Sequence, residues 1–388
     1  MPVYSKTGKK WSHDYEFSKT LKLDNVDLTA DNIIYYHHPY DSLMEQVPLY
    51  DAIDSKNWNH INTNHSTILL HDNDSETFDI SFVNDIVKTF NIHNINPAQL
   101  CIIVMDKNHK DFLERMLATY NITGVDIRIK NYLLSEIKIP KEELIPTKKF
   151  SMLSRNYRDW RLRLYVELLQ RGILEKDFIY SFFNIWPYND PPKVYNSAVM
   201  IEDLNKLNFT DITEETKIWL NSCPHELNSK NNVLNKWSNV TYDAIQSSSI
   251  HVIIETHYDQ KGYCQEKEYD RNFAPSSITE KSYKSIACNR PFIVYATPYW
   301  LEDLRNLGFK TFSPYINEDY DRITDSLVRL NMIVNEIERI SKLSNDEFKK
   351  LTIACQKIAE FNYNKLIEIQ NIDRKPKCMI NFIRSLIN

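Results

Sequence analysis

At 388 residues the chain exceeds the roughly 250–300 residues that a single hydrophobic core usually serves, so two domains are expected. Its 47 Lys and Arg against 52 Asp and Glu leave a net charge of −5, which excludes a global basic field drawing it to nucleic acid or an anionic membrane. The longest apolar runs, such as CIIVM at 101–105, fall far below the ~18 residues of a spanning helix. The opening MPVYSKTGKKWSHDYEF carries no apolar signal core, so the expectation is a cytoplasmic protein without a membrane span, in the host cytoplasm if its source is viral.

Glycine is scarce: five residues in the whole chain, against a usual share of ~7%. Neither G-x-G-x-x-G nor a Walker loop can be assembled from them. A bound nucleotide would then be held by side-chain cations and a helix N-terminus. The six cysteines, Cys101, Cys223, Cys264, Cys288, Cys355 and Cys378, form no C-x-x-C pair and no zinc spacing, and read as reduced structural thiols.

The first third alternates β-branched runs with amphipathic ones. NIIYYHHPY (32–40), STILLHDND (66–74), QLCIIVMDK (99–107) and VDIRIKNYLL (125–134) read as strands. ISFVNDIVKTFNIH (80–93) and HKDFLERMLATYNI (109–122) read as helices. This pattern predicts βαβ units and a largely parallel sheet. IPKEELIPTKK (139–149), with Pro140 and Pro146 among charges, reads as a linker.

A second alternation follows: strand KFSMLSR (149–155), an arginine-rich helix closed by Gly172, and strand DFIYSFF (177–183). The polar stretch 184–245 holds short helical pieces. Strand SIHVIIET (249–256), a loop, the helix opened by SSITEK, strand PFIVYA, a helix closed by Gly308 and a short strand KTF (310–312) come next. Beyond them Leu327, Leu330, Val334, Ile337 and Ile340 keep one helical face, and Ser344 with Glu347 spaces a capping box. The expected domains are 1–146, 147–325 and the C-terminal helices 326–388.

In SSITEK, Ser277 and Glu280 have capping-box spacing, which needs no ligand. Lys281 is not explained by it, because a first-turn cation opposes the helix dipole unless an anion lies near. Among Arg155, Arg158, Arg161 and Arg163, the best placed is Arg155, at the carboxyl end of a strand where open α/β sheets bind ligands. Arg161 and Arg163 read as a solvated basic face.

Glu255 and Thr256 end another strand; the carboxylate there would bind ribose hydroxyls or cap the turn. His251 and His257 nearby read as structural histidines. In the first domain Asp72, Asp74 and Glu76 follow a strand directly, beside His71, and one of them facing a cleft would act as general base. His37 and His38 are a second candidate. Asp72 and Asp74 lack supporting metal ligands, and no metal is assigned.

The block Thr279-Glu280-Lys281, then Arg290-Pro291-Phe292-Ile293, then Leu301, Leu304, Gly308, Phe309, Thr311 and Phe312, resembles the donor-binding half of GT-B glycosyltransferases of the α1,3-fucosyltransferase type. It is similar also to related phage, large-virus and bacterial sugar transferases. The likeness covers 249–315 well, 149–172 moderately, and the first domain in architecture alone. It implies two Rossmann-like α/β domains of GT-B type facing a central cleft, with a nucleotide-sugar donor as co-substrate and no resident cofactor. Glu280 would hold the donor ribose, and Lys281 and Arg155 the diphosphate; Arg158, Glu255, Thr256 and Thr279 complete the expected donor site.

The sequence departs from the family at Thr256, where an asparagine is usual, and in a longer 257–276 loop. The implied reaction is metal-independent and inverting, with Glu76 as base, Asp72 and Asp74 behind it, and a glycan acceptor. Two rivals stand beside it. One is transfer to hydroxymethylated bases of viral DNA, which needs a local basic groove; the other is a nucleotide-sugar-binding module without catalysis.

Overall fold

The computed structural model describes residues 3–5, 34–37, 67–71, 80–129, 137–141, 143–186, 192–227, 237–258, 276 and 278–373. The chain divides into two compact units, Met1–Glu136 with Asp270–Ser277 and Glu368–Asn388, and Ile137–Tyr269 with Ile278–Ile367.

The first unit is built on a five-stranded sheet in the order β1-β2-β3-β4-β5, with every described pair parallel. Its strands are β1 (Val3–Ser5), β2 (Ile34–His37), β3 (Thr67–His71), β4 (Leu100–Val104) and β5 (Asp126–Ile129). Helix α1 (Ile80–His93) connects β3 to β4, and α2 (Lys107–Thr119) connects β4 to β5. All five residues of β4 are buried, which is why the strand reads as an unbroken apolar run and not as an alternation. Phe82, Val83, Ile86 and Phe90 of α1 and Phe112, Leu113 and Leu117 of α2 join Ile68, Leu70, Ile102 and Val104 in one core.

The second unit opens with β6 (Lys148–Ser154), α3 (Asp159–Gln170), the single turn α4 (Leu174–Asp177) and β7 (Phe178–Phe182). A two-stranded hairpin follows, β8 (Ile185–Trp186) with β9 (Lys193–Val194), then α5 (Ser197–Lys206), α6 (Glu214–Asn221) and α7 (Trp237–Gln246). The chain returns through β10 (Ser248–Ile254), α8 (Glu280–Ala287), β11 (Phe292–Tyr295), α9 (Trp300–Asn306), α10 (Ser326–Ser341) and α11 (Asn345–Asp373). The sheet order is β11-β10-β6-β7, all parallel.

That order has a consequence for ligands. The crossover from β6 to β7 runs outward in one direction and that from β10 to β11 in the other. Right-handed crossovers therefore put α3 and α8 on opposite faces, and the order reverses between β6 and β10. The sheet also forks there. The ladder between β6 and β10 runs to Met152 and Val252, whereas β6 stays paired with β7 as far as Ser154 and β10 with β11 as far as Ile254.

Several local expectations are met. Gly172 follows α3 at φ +67, a left-handed position that suits glycine, and the amides of Gly172 and Ile173 close back on Leu169 and Leu168. Ser344 and Glu347 form their reciprocal box, with Ser344 N donating to Glu347 Oε2 at 3.0 Å and Glu347 N to Ser344 Oγ at 3.4 Å.

Others are corrected. KTF is not a strand: Lys310 bonds through both its backbone N–H and its C=O to the Asn362 amide at 2.8 Å, so side chains satisfy what a ladder would have. The 139–149 stretch and the residue before it are fastened to the second unit. Lys138 N donates to Tyr242 Oη at 3.0 Å, Thr147 N to Ser247 O at 2.8 Å, and buried Arg290 reaches both Leu144 O and Gln246 O. By contact the first unit runs to Glu136 and the second begins at Ile137. Helix α10 packs on α3 and β11, and 326–367 groups with the second unit. Among the described residues no helix is long and apolar enough to cross a membrane.

Candidate functional site

Two loops leave the fork between β6 and β10, and most of the predicted donor residues lie on them. After β6 comes Arg155, exposed at the strand's carboxyl end. Tyr157 N then donates to Ile185 O at 3.0 Å, tying this loop to the hairpin after β7. Arg158 is the extended N-cap residue of α3, at φ −149 and ψ 140, and supplies no side-chain cap. Its guanidinium lies over the Trp186 ring, 4.3 Å from the centroid, in a cation–π arrangement.

After β10 comes Glu255, only 3% exposed, and its carboxylate is spoken for within the protein. Oε1 accepts from Thr279 N at 3.2 Å and Ser282 Oγ at 2.5 Å, and Oε2 from Thr279 Oγ1 at 2.7 Å. Of the two roles foreseen for Glu255, ribose binding and turn capping, this geometry performs the second. The carboxylate anchors the start of α8.

The start of α8 also differs from the capping box. Thr279 is the N-cap, its Oγ1 accepting from Lys281 N at 3.4 Å, so Glu280 is the first helical residue and not the fourth-position partner of a Ser277 cap. Ser277 itself lies outside the described residues. Glu280 suits the positive end of the dipole. Burial pushes its carboxyl up, but Lys281 and then Lys284 outweigh that and hold it below its ordinary value.

Lys281 keeps 28% of its side chain exposed, and its Nζ donates to Thr256 Oγ1 and Thr279 Oγ1, each at 3.2 Å. Glu280 Oε1 stands 3.4 Å away and Glu255 Oε2 3.9 Å away. Part of the anion that a first-turn lysine calls for is thus supplied by the protein's own carboxylates. Thr256 holds the ammonium at the carboxyl end of β10, one strand over from Arg155.

Arg161 and Arg163 correct the sequence reading. They are 5% and 8% exposed, not a solvated face. Arg163 donates twice to Glu167 Oε1, at 3.0 and 2.7 Å, and once to Leu207 O at 3.1 Å, and stacks on Phe209 at 4.1 Å. Arg161 donates through Nη1 to Asn156 O at 3.0 Å and through Nη2 to Glu255 O at 3.1 Å. The signal was in the neighbours: Leu162, Leu164, Tyr165, Val166, Leu168 and Leu169 spread apolar side chains around most of the circumference of α3, and all six are buried.

His251 is structural, as read from the sequence. Its Nδ1 meets Ser151 Oγ at 2.7 Å, Ser248 Oγ donates on to Ser151 Oγ at 2.7 Å, and burial lowers the imidazole pKa to about 3. Glu76, Asp72, Asp74 and His38 lie outside the described residues, while His37 and His71 end β2 and β3. Among the described residues no group of three or more His, Cys, Asp or Glu is arranged to hold a metal ion. Cys101, Cys223, Cys288 and Cys355 are free thiols.

The class that these sheets define is an α/β protein with two parallel-sheet units, the second presenting cations at the carboxyl ends of its central strands. No family model matches the chain, and no curated protein matches it. Among solved structures it is similar to one described as the Glycosylation Associate Protein (Gap123) complex from Streptococcus agalactiae, at 10% identity and a TM-score of 0.34. The match covers 93% of this chain and 57% of that one, so the chain spans less than two thirds of its neighbour's length.

Proposed function

We propose that the protein is a glycosyltransferase of GT-B type that moves a sugar from a nucleoside-diphosphate sugar to an acceptor hydroxyl, a glycan being the acceptor. One observation carries the reading. Arg155, exposed after β6, and the partly exposed Lys281 ammonium, held by Thr256 just past β10, stand at the carboxyl ends of neighbouring strands at the point where strand order reverses and the ladder between them ends. The resemblance of the block from Thr279 to Phe312 supports the same site.

In this mechanism Arg155 and Lys281 bind the two phosphates, so that the negative charge growing on the leaving diphosphate meets cations already in position. Glu255 and Thr279 keep the start of α8, and with it Lys281, in place. Glu280 receives the ribose hydroxyls. A carboxylate of the first unit, Glu76 with Asp72 and Asp74 as its neighbours in sequence, takes the proton from the acceptor hydroxyl. The acceptor oxygen bonds to the anomeric carbon as the bond from that carbon to the β-phosphate oxygen breaks, with inversion. With two side-chain cations on the diphosphate, the step is proposed to need no metal.

The test is to incubate the protein with a panel of nucleotide sugars, without acceptor and without added metal, and to follow thermal stabilisation and slow hydrolysis. Stabilisation by one nucleoside diphosphate and hydrolysis of the matching donor are expected. If no nucleoside diphosphate raises the melting temperature, the proposal is wrong.

A further inference from the structure

The fork between β6 and β10 poses a mechanical problem. Two loops that carry opposite halves of a cationic site leave strands whose mutual ladder has already ended at Met152 and Val252. Something has to fix the gap between them, because two phosphates joined through one oxygen tolerate little change in the spacing of the cations that hold them.

We propose that Arg161 is the positioning residue that sets this gap, and with it the preference of the site for a diphosphate over a monophosphate. The proposal rests on the diphosphate reading given above. Arg161 comes from the first turn of α3 and turns its two terminal nitrogens to opposite sides of the fork. Nη1 holds the carbonyl of Asn156, the residue after Arg155, and Nη2 holds the carbonyl of Glu255, the residue before Thr256. Thr256 in turn accepts from Lys281. A chain of short contacts therefore runs from the Arg155 loop through one guanidinium to the lysine.

Residue type matters here. A guanidinium is planar and directs its donors along fixed lines, so its two carbonyl bonds define a distance between the loops. An ammonium on a flexible stem reaches one carbonyl well but sets no such span. At 5% exposure Arg161 is too deep to serve as a phosphate ligand itself, and the two carbonyls take the nitrogens that would face one. A purely structural role would make the residue matter for stability alone. A positioning role makes it matter for the comparison between ligands that need both cations and ligands that need one.

That comparison is the experiment. Calorimetric titrations of the full chain would use paired mono- and diphosphates of the common nucleosides, and inorganic phosphate against pyrophosphate, with wild type and Arg161→Lys. Folding is checked by circular dichroism. Wild type is expected to bind its preferred diphosphate at least about tenfold more tightly than the monophosphate. Arg161→Lys is expected to bring the two within about twofold, with monophosphate affinity near the wild-type value.

A folded Arg161→Lys protein that keeps the wild-type ratio overturns the proposal, as does a variant in which both affinities fall together. If Arg161→Lys does not fold, Asn156→Gly asks the same question by loosening the backbone on one side of the bridge, and a retained ratio there is equally fatal. Absence of diphosphate binding in wild type sinks the donor-site reading itself, and is separable because it appears before any substitution is made.

Discussion

Thr279 Oγ1 donates a 2.7 Å hydrogen bond to Glu255 Oε2, joining the end of β10 to the start of α8 across 24 residues of sequence. The same hydroxyl accepts from the backbone N–H and the ammonium of Lys281. One threonine thus relays a buried carboxylate to the cation that stands at the mouth of the fork.

Removal of that carboxylate should be costly. Glu255→Ala leaves Thr279 N, Thr279 Oγ1 and Ser282 Oγ without their acceptor in a buried place, and is expected to destabilise the protein by about 3 kcal/mol. Chemical denaturation would measure it. A loss below about 1 kcal/mol would mean that α8 finds another anchor.

Lys281→Ala should act on binding and not on folding, since Thr279 remains as the cap and Glu255 as its anchor. Nucleoside diphosphate affinity is expected to fall by about 2 kcal/mol, roughly thirtyfold, with an unchanged melting temperature. Equal affinity for wild type and variant in calorimetry would take Lys281 out of the site.

Glu76→Ala is expected to abolish sugar transfer while donor binding stays at the wild-type level. In the proposed mechanism the base acts on the acceptor and makes no bond to the diphosphate. Retained turnover would move the base to Asp72, Asp74 or elsewhere.

His251 makes stability depend on acid. Burial, the largest cause, holds its pKa at about 3 against an ordinary 6.5; the Ser151 hydrogen bond acts the other way, and Lys284 adds to the lowering. Between those values the unfolded chain binds the extra proton, so the contribution is complete above about pH 6.5 and is lost as the pH falls towards 3. His251→Gln, which keeps a polar partner for Ser151 but cannot titrate, should flatten the stability curve across that window. An unchanged slope in urea denaturation at stepped pH would show that other groups carry it.

The α/β class and the parallel sheets were legible because they rest on short-range pattern. Runs such as CIIVM and HVII declare strands buried on both faces, and Gly172 and the Ser344–Glu347 pair mark helix ends within four residues of the bonds they make. A helix start beside Lys281 was legible too, but its cap is Thr279 and not the Ser277 of the predicted box.

What sequence left undecided were partners distant along the chain. Glu255 was equally a ribose ligand or a cap until α8 supplied Thr279 and Ser282, and Arg161 looked like a solvated cation until the carbonyls of Asn156 and Glu255 closed over it. The 310–312 segment was strand-like until Asn362, 52 residues on, took its backbone bonds. The amino-acid order by itself determined where most of the described strands and helices run, since periodicity and end signals act over one or two turns. Only the tertiary structure decided which charged side chains are buried and what they hold, because burial depends on which strands become neighbours, and here the neighbours β6 and β10 lie about a hundred residues apart.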